Sequence, residues 1–178
     1  MFGTDRRGKR AAPDDFAREL IAGLRARPRR VSPKWFYDER GSRLFEEICE
    51  LPEYYPTRTE LSLLERHAPE VAGLIGANAE VVEFGAGASR KIRLLLAALP
   101  SPARYLPVDI SGEHLVQAAQ ALQDDHPGLR VEPVVADFTV ALRLPAPAGT
   151  RVGFFPGGSI GNFDPAAARR LLRRMARW

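Results

Sequence analysis

The chain has 178 residues, of which 45% are hydrophobic and 27% are charged, and its formal net charge at pH 7 is +4. This length predicts one domain or slightly more, and the composition is that of a globular protein rather than a disordered or fibrous one. No apolar run approaches the ~18 residues of a membrane span, and the amino terminus lacks the apolar segment of a secretory signal. Together with a single cysteine, Cys49, these features predict a cytoplasmic protein.

Basic charge is concentrated at the carboxyl-terminal end of the chain. Residues 165–178 contain five arginines and no acidic residue, and since these contribute +5 to a net charge of +4, the other residues together carry −1. The excess of basic charge is most concentrated on one predicted helix, with a less concentrated excess before residue 44, and does not form the extended patch that nucleic acid requires. We therefore predict that the protein binds neither nucleic acid nor membrane.

The first part of the chain is predicted to be helical. Residues 1–12 have the composition of a disordered basic tail, and residues 13–76 are predicted to form a small helical cap. Ser42 is the predicted N-cap of one helix in this cap. The residues from Thr57 to Glu60 match a capping box that would begin the next helix.

From residue 77 to residue 178 the pattern changes to strands that alternate with helices. The predicted strands cover residues 80–84, 104–110, 131–135 and 150–155. This alternation predicts an α/β fold with a doubly wound parallel sheet and right-handed crossovers. Pro107 is unusual inside a strand, because proline cannot donate a ladder hydrogen bond.

Serine and aspartate residues mark the expected beginnings of the helices in this second region. Ser89 and Ser111 are predicted N-caps for the helices after the first and second strands. Asp164 followed by Pro165 is a typical N-cap and first residue for the last helix.

The predicted carboxyl ends of the strands carry residues suited to binding a nucleoside. Ligands of such sheets bind beyond these ends. Gly85 and Gly87 allow close backbone approach after the first strand, whereas Arg90 stands where a dinucleotide fingerprint needs its third glycine. The loop therefore suits a nucleoside ligand without a pyrophosphate, the alternative being a tight turn that binds nothing.

Four further residues fit the same ligand. Asp109, 24 residues beyond Gly85, is placed to accept ribose hydroxyls, or else lies before the next helix as an N-cap-like residue. Asp137 offers an acceptor for an adenine amino group and Phe138 a ring for the base, the alternative being a strand-end turn beside the core. Lys91 could reach a ligand carboxylate or could be a solvated helix residue.

Other chemistries lack support in the sequence. The three histidines share no metal-ligand spacing, so no metal site is predicted. No Gly-x-Ser-x-Gly elbow is present, so no serine nucleophile is predicted.

Several strings together resemble one family, the histidine-specific Nα-methyltransferases, which are S-adenosylmethionine enzymes of ergothioneine biosynthesis. The strings are Lys34-Trp35-Phe36-Tyr37-Asp38, Gly41-Ser42-Arg43-Leu44-Phe45, residues 51–60 (LPEYYPTRTE), Glu83-Phe84-Gly85-Ala86-Gly87 and residues 154–162 (FFPGGSIGN). The resemblance extends from about residue 13 to the last residue.

The resemblance implies a Rossmann-like methyltransferase domain whose first four strands have the order 3-2-1-4, with S-adenosylmethionine as cofactor and L-histidine as substrate. The residues expected to contact the cofactor are Gly85, Gly87, Lys91, Asp109, Asp137, Phe138 and Gly157. Tyr54, Asn162 and Tyr37 are expected to contact the amino-acid acceptor. No catalytic residue is assigned, because the reaction depends on positioning the acceptor amine.

Complete members of the family are considerably longer than this chain. We therefore expect residues 77–178 to be a partial cofactor-binding domain that stops after the fourth strand, and the chain to be an inactive or weakly active amino-terminal portion of an enzyme that is a monomer when complete. Three alternatives remain: a noncatalytic module that binds S-adenosylmethionine or a partner, an N-methyltransferase of another amino acid, and a nucleic-acid methyltransferase.

Overall fold

A computed structural model describes residues 13–87 and 89–178, so the predicted tail at residues 1–12 lies outside the described residues. The helices are α1 (Pro13–Arg25), α2 (Glu39–Glu50), α3 (Tyr55–Ile75), α4 (Arg90–Ala98), α5 (Gly112–Asp125) and α6 (Pro165–Met175), with short 3-10 helices at Pro33–Phe36 and Ser159–Asn162. The strands are β1 (Ala79–Phe84), β2 (Arg104–Asp109), β3 (Val134–Val135) and β4 (Thr150–Phe154). Within the described ranges, no helix is long and apolar enough to cross a membrane.

The four strands form one parallel sheet in the order β3-β2-β1-β4. Strand β1 pairs with β2 on one side and with β4 on the other, and Glu83 lies opposite Pro107 and Phe154 in the two registers. This topology confirms the predicted α/β fold and the predicted strand order. Because the chain moves to the other side of β1 between β3 and β4, the loops after β1 and β4 flank the switch point where such sheets bind ligands.

Alternating residues of the strands enter two separate cores. Val81 and Tyr105 pack on one face against α3, α4 and α5, while Val82, Phe84 and Leu106 pack on the other face with Met175 and Trp178 at the end of the chain. This period of two is what a sheet covered on both faces requires. The helices therefore hold the sheet from both sides and leave the carboxyl ends of its strands facing the cap.

Pro107 is accommodated because its missing N–H faces a gap in the sheet. Tyr105 and Asp109 direct their backbone groups toward the segment that contains β3: the Tyr105 N–H donates to Arg130 and the Asp109 carbonyl accepts from Ala136. Pro107 lies two residues from each of them along the strand, so its backbone nitrogen faces the same segment. Strand β3 is also shorter than the predicted 131–135, since Val131 makes only an isolated bridge.

Three predicted N-cap residues occupy the N-cap position, but only one of the three makes the side-chain hydrogen bond that capping implies. Asp164 caps α6 by accepting a hydrogen bond from the Ala167 N–H at 2.8 Å, as predicted. Ser89 and Ser111 occupy the N-cap positions of α4 and α5 without a side-chain cap hydrogen bond. The Ser111 hydroxyl donates instead to the Tyr37 carbonyl at 2.6 Å.

Two predicted helix starts in the cap are wrong. Helix α2 is capped by Asp38, whose carboxylate accepts from the Gly41 N–H at 2.7 Å, and not by Ser42, which lies inside the helix. Helix α3 begins at Tyr55, ahead of the predicted capping box, and its N-cap residue makes no side-chain cap bond. Glu60 is therefore free of a capping role and points elsewhere.

Candidate functional site

A cavity of about 780 Å³ lies between the cap helices and the carboxyl ends of the strands. Every residue predicted to bind the cofactor or the acceptor lines it: Tyr37, Tyr54, Gly85, Gly87, Lys91, Asp109, Asp137, Phe138, Gly157 and Asn162. These residues come from the cap, from three strand ends and from the loop after β4. The structure thus brings together all ten predicted positions, while the role of each stays a prediction.

The floor of the cavity is formed by the glycine loop that follows β1. Gly85 has φ +77°, a left-handed conformation that favours glycine, and its N–H donates to the Val108 carbonyl at 2.9 Å. The Gly87 N–H then turns back to the Gly85 carbonyl at 2.9 Å. The loop is therefore fixed against β2, and its backbone is open to a ligand.

Asp109 and Asp137 present carboxylates from adjacent strand ends. Asp109 is the last residue of β2 and accepts the Ser111 N–H at 2.9 Å. Burial raises its pKa, against the opposing effect of the hydrogen bonds from Ser111. Asp137, after β3, accepts the N–H and the hydroxyl of Thr139 at 2.8 Å and 2.5 Å. Both carboxylates are thus held by the residues that follow them, at the edge of the cavity.

An aromatic wall stands beside these acids. The ring of Phe138 packs edge-on against Phe84 and Phe155, with centroid distances of 6.1 Å and 5.7 Å. It also lies 3.8 Å from the position where a Cβ on Gly85 would be. The ring is therefore fixed by the core beneath it and offers a flat apolar surface for a planar base.

A second aromatic group lies on the cap side of the cavity. Phe45 of α2 packs edge-on against Tyr37 at 5.8 Å and against Tyr54 at 5.9 Å. Burial, together with the negative charge that Cys49 would carry, raises the pKa of the Tyr54 hydroxyl further above its ordinary value. Asn162 is exposed in the 3-10 helix after β4 and lines the same cavity.

Lys91 is tied to the cap. Its ammonium lies 2.6 Å from a carboxylate oxygen of Glu60 in α3. The other oxygen of Glu60 accepts the Gly157 N–H at 2.6 Å. One cap carboxylate therefore holds both the lysine after the glycine loop and the backbone of the loop after β4.

Lys34 is a second cap residue that reaches the strand ends. Its ammonium pairs with Glu19 at 2.8 Å and with Asp137 at 3.4 Å. Burial lowers the pKa of Lys34, but the hydrogen bond to Glu19 and the nearby carboxylate charges outweigh it and raise the pKa overall. Lys34 is therefore a cation beside the predicted adenine acceptor.

Glu83 contributes a buried acid to the cavity wall. It is 3% exposed and accepts a hydrogen bond from the Tyr105 hydroxyl. Burial raises its pKa to about 7, and the Tyr105 bond and the Lys91 charge offset only part of that effect. A carboxyl that titrates near neutrality at the edge of a cavity is typical of functional sites.

No sequence pattern predicts a binding role for Glu60, Lys34 or Glu83. Glu60 was interpreted as part of a capping box, and Lys34 and Glu83 only as parts of strings shared with a family. The available signal was position: a lysine beside Trp35 and an acid at the end of a strand. Within the described ranges, no group of histidine, cysteine and acidic residues is arranged to hold a metal ion.

Comparison with known proteins identifies the family of the chain. The model of a family described as histidine-specific methyltransferase, SAM-dependent, matches residues 16–178, which is most of the chain. The chain belongs to this histidine-specific methyltransferase family. Family membership makes S-adenosylmethionine the cofactor for which the cavity is to be tested, and the glycine loop, the two acids and the ring of Phe138 fit that ligand.

Individual proteins similar in sequence to this chain include histidine methyltransferases. The chain is 38% identical over 169 residues to the histidine N-alpha-methyltransferase of Mycolicibacterium smegmatis, covering 93% of this chain and 52% of the relative. It is 39% identical over 162 residues to that of Mycobacterium tuberculosis, covering 89% and 50%. It is also 42% identical over 91 residues to ergothioneine biosynthesis protein 1 of Neurospora crassa, covering 49% and 10%. The chain thus spans about half the length of the two histidine methyltransferases.

Proposed function

We propose that this chain binds S-adenosylmethionine and serves the Nα-methylation of L-histidine to Nα,Nα,Nα-trimethylhistidine, a reaction of ergothioneine biosynthesis. The observation that carries this proposal is the convergence of all ten predicted residues on one cavity at the switch point of the sheet. The identity to histidine N-alpha-methyltransferases over most of the chain supports the choice of acceptor. The predicted cytoplasmic location and the lack of nucleic-acid binding stay predictions.

The residues on the strand side would hold the nucleoside. Asp109 would accept the ribose hydroxyls, Asp137 the adenine amino group, and the ring of Phe138 would lie against the base. Lys91 would pair with the carboxylate of the cofactor, and Gly85 and Gly157 would let the backbone approach it. When bound, S-adenosylmethionine supplies a methyl group on a positively charged sulfur, and an acid-lined cavity favours such a cation.

The residues on the cap side would hold the amino-acid acceptor. Tyr54 and Asn162 would contact its backbone groups, and Tyr37 would lie by the imidazole. The acceptor amine must be neutral and in line with the methyl group, so that most of the rate comes from holding the two partners at near-attack distance. Aromatic faces such as that of Tyr54 would also stabilise the cationic head that grows with each transfer.

The first test is a calorimetric titration of S-adenosylhomocysteine into the 178-residue chain, with circular dichroism on the same sample. We expect saturable one-site binding to a cooperatively folded protein. A well-folded chain that does not bind S-adenosylhomocysteine contradicts the proposal.

The acceptor is tested separately with radiolabelled S-adenosylmethionine. L-Histidine is compared with a panel of other L-amino acids and with an oligonucleotide, and we expect the label to appear preferentially on histidine. Transfer to another amino acid instead would identify a different amino-acid N-methyltransferase. Binding without transfer to any acceptor would fit both the expected inactive amino-terminal portion of an enzyme and a noncatalytic module that binds the cofactor.

A further inference from the structure

Glu60 connects three segments that the sequence keeps far apart. It lies in α3 of the cap, Lys91 lies in the first turn of α4, and Gly157 lies in the loop after β4. Both carboxylate oxygens are used, since one lies 2.6 Å from the Lys91 ammonium and the other accepts the Gly157 N–H at 2.6 Å. A single side chain of the cap therefore contacts both the helix that follows the glycine loop and the loop after β4.

The surroundings of this contact leave little freedom. Gly157 has φ +79°, and a Cβ on it would lie 3.0 Å from the Lys91 ammonium. The side chains of Lys91 and Glu60 are 24% and 29% exposed, so solvent screens the pair less than it screens a surface pair. Lysine carries its charge on a flexible stem, and this pairing removes much of that flexibility.

We propose that Glu60 is a positioning residue: it holds Lys91 and the Gly157 loop in the arrangement that receives the carboxylate of the cofactor. The inference rests on the proposed function. An ammonium has three donors, so a lysine that gives one to Glu60 keeps others for a ligand. The hydrogen bond from Gly157 anchors Glu60, which is why we assign it an orienting role and not that of an internal competitor for Lys91.

The experiment compares two ligands that differ at the end Lys91 would bind. S-adenosylhomocysteine carries the amino-acid group, and 5′-methylthioadenosine keeps the nucleoside and the sulfur without it. In Glu60→Gln an amide can still accept from Gly157 but no longer attracts Lys91 by charge. We expect S-adenosylhomocysteine to bind about tenfold more weakly and 5′-methylthioadenosine to bind as before.

The control is Glu65→Gln, which removes the same charge from the same helix at an exposed position outside the cavity. We expect it to change neither affinity. Equal weakening of both ligands in Glu60→Gln would indicate a merely structural role. Tighter binding of S-adenosylhomocysteine would show that Glu60 competes with the ligand for Lys91. Unchanged binding would show that Glu60 neither orients Lys91 nor competes for it. Each of these results overturns the inference.

A measurement without ligand tests the contact itself. Acetylation of Lys91 by acetic anhydride, followed by mass spectrometry, should be faster in Glu60→Gln and unchanged in Glu65→Gln. An unchanged rate in Glu60→Gln overturns the inference whatever the ligands do. If the unaltered chain binds S-adenosylhomocysteine but Glu60→Gln leaves the ratio of the two affinities unchanged, only the inference fails. If the unaltered, folded chain does not bind S-adenosylhomocysteine, the proposed function fails as well.

Discussion

Strand β1 carries a buried glutamate near each end, and the two glutamates differ in their hydrogen-bond partners and in the direction of their pKa shifts. Glu80, at the amino end, is fully buried and accepts hydrogen bonds from Arg104 at 2.7 Å and Arg151 at 2.5 Å. Burial alone would raise its pKa, but the bonds from Arg151 and Arg104 prevail and lower it. Glu83, at the carboxyl end, accepts a side-chain hydrogen bond from the Tyr105 hydroxyl, and burial raises its pKa to about 7.

The two ends of β1 therefore differ in their surroundings: the amino end is part of a buried ion-pair cluster, and the carboxyl end borders the candidate site. At the amino end the charge of Glu80 is buried and paired with those of Arg104 and Arg151. At the carboxyl end an incompletely compensated acid borders a cavity that also contains Asp109 and Asp137. Residues at the first end should therefore affect stability, and residues at the second end should affect binding and pH dependence.

The largest expected effect is at Glu80. Glu80→Gln removes the buried charge partner of the Arg104 guanidinium and leaves it the partly exposed Glu132, and breaking a buried pair in this way costs about 3–5 kcal/mol. We expect that loss in the free energy of unfolding measured with urea. The control is Glu132→Gln, because Glu132 also pairs with Arg104 but is 30% exposed, and we expect it to cost under about 1 kcal/mol. Equal losses in the two variants would contradict the distinction between paired and exposed acids.

The second effect is the pH dependence that Glu83 gives to stability. Because its pKa in the folded state is raised from 4.5 to about 7, the folded protein binds this proton more tightly than the unfolded chain does. The stabilisation is fully present below pH 4.5 and is lost as the pH rises through 7, by about 3 kcal/mol in total.

This prediction is checked by measuring the unfolding free energy of the unaltered chain and of Glu83→Gln between pH 4.5 and pH 8. Glutamine does not titrate, so the difference between the two proteins should change in favour of Glu83→Gln as the pH rises. Glu80→Gln is the flat reference: because the pKa of Glu80 is lowered, its carboxylate is ionised across this range, and the difference between Glu80→Gln and the unaltered chain should not change with pH. For Glu83→Gln, a difference that stays constant with pH would show that Glu83 is already ionised in the acid range.

The third effect is on binding alone. Asp109→Asn keeps an acceptor for the Ser111 N–H but removes the charge that would accept the ribose hydroxyls. We expect the affinity for S-adenosylhomocysteine to fall on the order of 10- to 100-fold, the range for a hydrogen bond to a charged group. Asp124→Asn on the exposed face of α5 should leave it unchanged. A circular dichroism melt should show that both variants stay folded, and retained affinity in Asp109→Asn would remove Asp109 from the site.

The strand side of the molecule was predictable because its signals are local. A strand ending in Gly85-Ala86-Gly87, and strands ending at Asp109 and near Asp137, place those residues at one edge as soon as the sheet is parallel. The order β3-β2-β1-β4 follows the family resemblance as predicted. The predicted length of β3 is too great, because Pro107 in β2 has no N–H to donate to the residues before Val134.

The cap side was less predictable because its side chains act across long sequence separations. Glu60 matched a capping box by spacing, yet α3 begins at Tyr55 and Glu60 reaches Gly157, 97 residues away. Ser42 matched an N-cap by type, yet Asp38 provides the cap. No local pattern predicts which helix packs over which strand end, so these contacts are seen only in the structure.

The smallest expected effect concerns the aromatic ring of Tyr54 in the cap. The question is whether its face stabilises a cationic substrate, as the acids on the strand side would stabilise a cationic cofactor. Tyr54→Leu removes the ring but keeps an apolar side chain, whereas Tyr54→Phe keeps the ring and removes only the hydroxyl. If the ring stabilises the cationic head, Tyr54→Leu should slow the last of the three methyl transfers to histidine by about two- to fivefold, which corresponds to 0.5–1 kcal/mol of cation–π attraction. Tyr54→Phe should keep that step, because the attraction lies in the face of the ring. The ratio of mono-, di- and trimethylhistidine, measured by mass spectrometry over time, reports the effect independently of how much enzyme is active. Methylation that proceeds undiminished in Tyr54→Leu would show that the cap holds the acceptor by shape alone.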